Sequence, residues 1–143
     1  LDAFSLCESD AFGMVGGFGP ILAKAKSITK KIYVFEQNVP AGSEFYPAEQ
    51  IPHLLPDCDV VVITATSIIN HTIDEVISHC KNAREVCIVG PSTPLCPEVF
   101  KKYPVTLLAG SVVKDPDRIL KIVSQGGGAM AMKPAIEHVL VRI

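Results

Sequence analysis

Five short apolar runs in this chain each end in a cluster of glycine and small polar residues. Phe12-Gly13-Met14-Val15 leads into Gly16-Gly17-Phe18-Gly19-Pro20, and Lys31-Ile32-Tyr33-Val34-Phe35 into Glu36-Gln37-Asn38. Val60-Val61-Val62-Ile63 leads into Thr64-Ala65-Thr66-Ser67, and Val86-Cys87-Ile88-Val89 into Gly90-Pro91-Ser92-Thr93-Pro94. Thr106-Leu107-Leu108-Ala109 leads into Gly110-Ser111. A strand that is apolar on both faces needs cover on both faces, the situation of a parallel sheet flanked by helices. In open sheets of that kind, ligands bind outside the carboxyl ends of the strands. The polar clusters are therefore expected to converge on one crevice.

Helical patterns separate the runs. Pro20 suits a first helical turn, and Ile21, Leu22, Ala25 and Ile28 then share a face. Residues 47–55 read as a short, irregular helix, because Pro52 removes a donor within it. Thr72 and Glu75 have capping-box spacing, followed by Ile73, Val76, Ile77 and Cys80 at helical intervals. Pro97 opens a short helix with Val99 and Phe100, and Asp115-Pro116 opens another that Gly126-Gly127-Gly128 stops. Val139, Val141 and Ile143 alternate as a last strand.

The expected fold is α/β: a three-layer doubly wound Rossmann-like domain with a mainly parallel sheet in the order 3-2-1-4-5. Its strands fall near residues 12–16, 31–36, 59–64, 85–89 and 105–109, with 39–46 as the most exposed connection. At 143 residues the chain fits a single domain over 1–143. It begins at Leu1 rather than Met, which is expected of the C-terminal part of a longer two-domain protein.

A net charge of −2 gives no reason to expect binding to nucleic acid or an anionic membrane. No apolar run approaches the roughly 20 residues of a membrane helix, and the N-terminus does not read as a signal peptide. Cys7, Cys58, Cys80, Cys87 and Cys96 are odd in number and lack C-x-x-C spacing. They read as reduced thiols, mostly core filler, in a cytoplasmic protein. A homo-oligomer is compatible with all of this.

Three constellations bear chemistry. The first is the loop of Gly13, Gly16, Gly17 and Gly19, whose backbone can approach a ligand closely at a helix start that favours an anion. Glu36 follows Gly16 by twenty residues, where an acidic side chain would meet a ribose hydroxyl, although the glycine spacing is not a strict G-x-G-x-x-G. The second runs from Thr64 to Thr72. Thr66 offers a hydroxyl, Asn70 can orient a polar ligand, and His71 can ligate metal or move a proton. A helix cap accounts equally for Thr72, and a solvated position for His71. The third is Gly90-Pro91-Ser92-Thr93-Pro94-Leu95-Cys96-Pro97, a stiff loop with hydroxyls between prolines that suits an oxyanion. Ser92 lacks the elbow and the base of a hydrolytic nucleophile. His53, His71, His79 and His138 show no dedicated metal-ligand spacing; His71 and Cys96 are the pair that could meet in the crevice.

Three segments together resemble a known family. They are 59–72 (Asp59-Val60-Val61-Val62-Ile63 through Asn70-His71-Thr72), 89–95 (Val89-Gly90-Pro91-Ser92-Thr93-Pro94-Leu95) and 109–116 (Ala109-Gly110-Ser111 through Asp115-Pro116). The resemblance is to the Rossmann-like putative heavy-metal chelation domain, found in bacteria and archaea, and covers nearly the whole chain. It implies a Rossmann-like fold, usually preceded by a smaller domain like the N-terminal domain of enolase, with a site in the cleft between the two. It places Gly16, Thr66, Asn70, Thr72, Pro91, Ser92 and Thr93 at or beside that site. Relative to that pattern, the first domain is expected to fall outside residues 1–143, and with it any ligand group that domain supplies.

Three functions follow from these readings. The leading one is a domain that binds a small molecule or metal ion at the strand ends, with a divalent or heavy-metal ion or a metal complex as its ligand. The second is an enzyme using a nucleotide-type cofactor, NAD or S-adenosylmethionine, which Glu36 favours. The third is a non-catalytic module whose crevice docks the absent domain. Gly16, Gly17, Glu36, Thr66, Asn70, Ser92 and Thr93 are expected to line one cavity.

Overall fold

A computed structural model describes residues 5–143. Each apolar run is a strand: β1 Ala11–Val15, β2 Lys31–Glu36, β4 Val60–Thr64, β5 Glu85–Val89 and β6 Leu107–Val113. Two more, β3 Tyr46–Pro47 and β7 Ile136–Arg142, complete a seven-stranded sheet in the order β3-β2-β1-β4-β5-β6-β7. All neighbours are parallel except β6 and β7. The helices are α1 Gly19–Lys26, α2 Ile51–Leu54, α3 Thr66–Ile69, α4 Ile73–Ser78, α5 Pro97–Phe100, α6 Pro116–Ser124 and α7 Ala129–Met132.

The Rossmann-like order 3-2-1-4-5 is present and extends to seven strands. Its third member is the two-residue β3, which lies at the end of the stretch expected to be an exposed connection. The 60–64 run, third among the apolar runs, is therefore fourth in the chain and pairs directly with β1. β6 also runs past Gly110-Ser111 to Val113, because β7 supplies antiparallel partners from Arg142 opposite Leu107 to Ile136 opposite Val113. Residues 48–57 form the expected irregular helix, a 3-10 turn on each side of α2, with Pro52 tolerated in its first turn.

The core divides by sheet face. Phe35, Val61, Ile63, Val86, Ile88 and Leu108 point to one side, where Ile51 and Leu55, Val76 and Ile77 of α4, and Phe100 of α5 cover them. Phe12, Met14, Val34, Val60, Val62, Cys87 and Leu107 point to the other, against Ala25 of α1 with Ile21 and Leu22 beside it. Val60 to Ile63 are fully buried, so both faces of β4 contribute, each side chain worth about 1.5–3 kcal/mol. This central position fixes the height of the loop that follows β4.

At the amino ends of the central strands, the Asp10 carboxylate accepts from Arg84 Nη1 (2.8 Å) and Nη2 (2.6 Å) and from the Cys7 amide (2.6 Å). The Arg84 hydrogen bonds hold its pKa below the usual carboxylate range against the opposing effect of burial. No helix among the described residues is long and apolar enough to cross a membrane.

Candidate functional site

The chain leaves β1 in one direction to build β2 and β3, and in the other to build β4 through β7. At that reversal the loops after β1 and β4 diverge, and a crevice opens above the strand ends. It holds a cleft of about 570 Å³. Its walls are the end of β1 with Gly16 and Gly17, the end of β2 from Phe35 to Asn38, and Ala48, Glu49 and Ile51 before and within α2. Thr64, Thr66, Ser67, Asn70, Thr72, Glu75 and Val76 close the other side.

The glycine loop is built for close approach. The Gly16 amide donates to Phe35 O at 2.9 Å, and Gly16 has a φ of +87°, which favours glycine. A Cβ at Gly16 would stand 2.8 Å from both Cβ and Cγ2 of Thr64. The next amide, that of Gly17, donates to Glu36 Oε1 at 2.6 Å. The carboxylate at the end of β2 thus already occupies the loop's outward N–H. A Cβ at Gly17 would lie 2.7 Å from that oxygen.

The β4 side is a chain of short polar contacts. Ser67 is buried and its Oγ donates to Thr64 O at 2.6 Å, which turns β4 directly into the single turn of α3. Thr64 Oγ1 and Thr66 Oγ1 bond at 3.1 Å. Asn70 Oδ1 accepts from both the amide (3.2 Å) and the hydroxyl (2.8 Å) of Thr72. The capping box expected of Thr72 and Glu75 is absent, because the Thr72 hydroxyl turns back to Asn70 instead of capping α4. Both side chains stay at the cleft wall.

Of the residues singled out in the sequence, Gly16, Gly17, Glu36, Thr66, Asn70 and Thr72 line this cleft together. Pro91, Ser92 and Thr93 do not, and neither do His71 and Cys96. The 90–97 loop leaves the same edge of the sheet one strand further over and bends toward β6. There the Gly90 amide donates to Ala109 O at 3.0 Å, and a Cβ at Gly110 would meet Leu95 and Thr93 O. Thr93 is buried, and its hydroxyl has no hydrogen-bond partner among the described residues. His71 is exposed at a left-handed φ of +62°, in the turn between α3 and α4. Sequence spacing identified the edge; the convergence of particular loops depends on strand order.

Glu49 and Glu75 also line the cleft and were not singled out from the sequence. The spacing of Glu75 points only to half of a capping box, and Glu49 lies in the irregular stretch around α2. With Glu36 they make three carboxylates, and no Lys, Arg or His is among the lining residues. Burial pushes the thiols of Cys58, Cys80 and Cys87 up to about 12, so at neutral pH these are protonated packing groups, not thiolate ligands. Among the described residues no three His, Cys, Asp or Glu side chains stand close enough to hold a metal ion. The residues present therefore do not by themselves fit a bare, fully coordinated ion.

Fold and cleft define a Rossmann-like domain with its candidate site at the topological switch point. The chain belongs to the DUF364 family, described as "Putative heavy-metal chelation", whose profile matches residues 1–142. It is similar to the uncharacterised protein MJ0500 of Methanocaldococcus jannaschii, 32% identical over 123 residues, which are 85% of this chain and 48% of that protein. Two crystal structures of DUF364 proteins of unknown function share its fold. The one from Pyrococcus horikoshii (PH1506) has a TM-score of 0.86 and 26% identity over 95% of this chain and 56% of that one. The one from Desulfitobacterium hafniense DCB-2 has a TM-score of 0.85 and 29% identity over 95% of this chain and 54% of that one. The chain thus spans about half the length of the relatives it matches.

Proposed function

We propose that this domain binds a positively charged, metal-bearing ligand in the cleft at the β1–β4 switch point. The observation that carries this reading is the charge of the wall: Glu36, Glu49 and Glu75 line it and no cationic side chain does. A phosphate or dinucleotide would meet that wall without compensation, at a cost that grows as water leaves the cleft. A cation is drawn in by the same field. The family description points the same way. The smaller enolase-like domain that the resemblance implies would supply further contacts to the ligand.

The nucleotide-cofactor alternative keeps one observation in its favour, Glu36 at the end of β2 beside a glycine loop. S-adenosylmethionine, itself cationic at sulfur, satisfies the wall charge better than NAD does. A melting-shift series separates these readings, since a ligand at a hundred times its Kd adds about 2.7 kcal/mol of stability. Cationic metal complexes are expected to raise Tm, and NADPH at equal concentration is expected to leave it unchanged. Stabilisation by NADPH alone would refute the cation reading.

A further inference from the structure

The sheet ends differently on its two sides. At one edge stands β3, two residues long and ending in Pro47, which offers a neighbouring chain almost nothing to pair with. At the other stands β7, seven residues from Ile136 to Arg142, with no proline and no bulge in its register against β6. Exposed edges are usually guarded by charge. Here the charges on β7 turn back into their own sheet: Glu137 pairs with Lys114 at 2.5 Å and Arg142 with Glu85 at 2.7 Å. Leu140, within this edge, is 61% exposed.

The pairing with β6 fixes where the backbone of β7 points. The Ile143 amide donates to Thr106 O, and Ala135 O accepts from the Lys114 amide. Odd-numbered positions therefore spend their N–H and C=O groups on β6. Ile136, His138 and Leu140 aim theirs outward, where no further strand stands among the described residues. A second uncovered surface adjoins this edge. α6 gathers Ile119, Leu120, Ile122 and Val123 on one side, yet none of its residues is buried, and Leu120 and Val123 are exposed. The helix touches α7 and the turn over 133–135 that leads into β7.

We propose that β7 pairs antiparallel with β7 of a second copy of this chain, joining two seven-stranded sheets about a two-fold axis. The strand is its own complement. A two-fold axis normal to the sheet keeps every residue on its own face, so paired positions have numbers with an even sum. Centring on Val139 sets His138 opposite Leu140 of the second copy and Glu137 opposite Val141, and it overlaps the whole strand. A shift to either neighbouring register sets His138 against itself or against Arg142, like charges once the imidazole is protonated. In the centred register the outward groups of His138 and Leu140 exchange hydrogen bonds across the seam.

One strand alone falls short of the roughly 20–30 residues a side of a standard interface. Antiparallel pairing carries each copy's α6–α7 hairpin to the Arg142 end of the other, where the apolar side of α6 supplies the remainder. Arg142 lies opposite Leu107, at the start of β6, whereas the cleft lies at the strand carboxyl ends beyond β5. The pairing therefore leaves the cleft open in both copies.

Sedimentation velocity over a concentration series tests this, together with a cysteine cross-link. The native chain is expected to move from 15.3 kDa toward twice that mass as concentration rises. Leu140→Pro deletes only an outward N–H, and Leu140→Lys places a charge on the seam. Each is expected to hold the chain at single mass, with the Tm of Leu140→Lys unchanged at a concentration where the native chain is also single. For the register, the exposed Cys7 and Cys96 are first replaced by serine. Val139 would face Val139 as a non-hydrogen-bonded pair with Cα atoms about 4.5 Å apart, inside the range of about 4.4–6.8 Å that a disulfide spans. Val139→Cys in that background is expected to give a covalent dimer with oxidised glutathione. Leu140→Cys, about 7–8 Å from its counterpart, is expected to give none.

Single mass at every concentration would overturn the proposal, and so would a dimer that survives both Leu140 substitutions. A dimer in which Val139→Cys fails to cross-link, or in which Leu140→Cys links as readily, would overturn the two-fold pairing centred on Val139.

Discussion

Replacing Gly16 by alanine tests the geometry of the cleft floor with a single methyl group. Gly16 has a φ of +87°, and the left-handed region costs an alanine about 1–2 kcal/mol. The new Cβ would also lie 2.8 Å from both Cβ and Cγ2 of Thr64. Thr64 cannot step aside cheaply: its Cβ is fixed to a strand that pairs with β1 on one side and with β5, at Val89, on the other. Overpacking of this kind costs about 1–3 kcal/mol. Alanine stiffens the unfolded chain and offsets about 0.4–1 kcal/mol. The net expectation is a loss of about 1.5–4 kcal/mol, or about 5–12 °C in Tm at roughly 3 °C per kcal/mol for a domain of this size.

Gly42→Ala is the matched control, with a φ of +79° and nothing within 4 Å of its Cβ. It bears the conformational cost without the collision, and should lose no more than about 1.6 kcal/mol, or about 5 °C. Differential scanning calorimetry on both variants isolates the collision as their difference. If Gly16→Ala melts no lower than Gly42→Ala, the glycine loop does not approach Thr64 as described, and the cleft loses its floor.

Arg84→Ala is expected to cost about 1–3 kcal/mol by leaving the buried Asp10 carboxylate without its two charged hydrogen bonds, as measured by urea denaturation. Because the folded pKa of Asp10 is lowered, its contribution is present above the unfolded value near 3.8 and is lost as pH falls through the folded value. Acid titration of wild-type stability should therefore be steeper below about pH 4 than that of Arg84→Ala. Thr93→Val removes a buried hydroxyl that has no partner and should leave Tm unchanged or raise it; a fall of several degrees would mean the hydroxyl is hydrogen-bonded in solution. Asp115→Ala removes the cap of α6, a 3.0 Å bond from the Arg118 amide, and should cost about 1 kcal/mol by chemical denaturation. Thr72→Ala removes no cap and should cost less than that; equal losses would restore the capping role.

The strands were legible because a run such as Val60 to Ile63 is apolar at every position, and only a strand buried on both faces explains that. Glu36 and Gly16 were legible because strand ends on one edge share a crevice. The rest depended on contacts that sequence does not carry. β3 is two residues long and exists through its pairing with β2, so no periodicity announces it. Thr72 satisfied a capping pattern, but Asn70 two residues earlier competes for its hydroxyl and wins. Ser92 and Thr93 follow a strand on the correct edge, yet their loop bends toward β6 and away from the switch point. Glu49 and Glu75 enter the wall only because residues 48–51 and α4 stand on opposite sides of it.

Amide chemical shifts during titration with hexaamminecobalt(III) test the central claim most directly, because they locate a bound cation without presuming its site. The account predicts that Gly16, Gly17, Thr66, Asn70, Thr72 and Glu75 shift together with one dissociation constant, while Ser92, Thr93 and Cys96 hold still. Shifts confined to the 90–97 loop, or scattered over exposed carboxylates with no common constant, would contradict it.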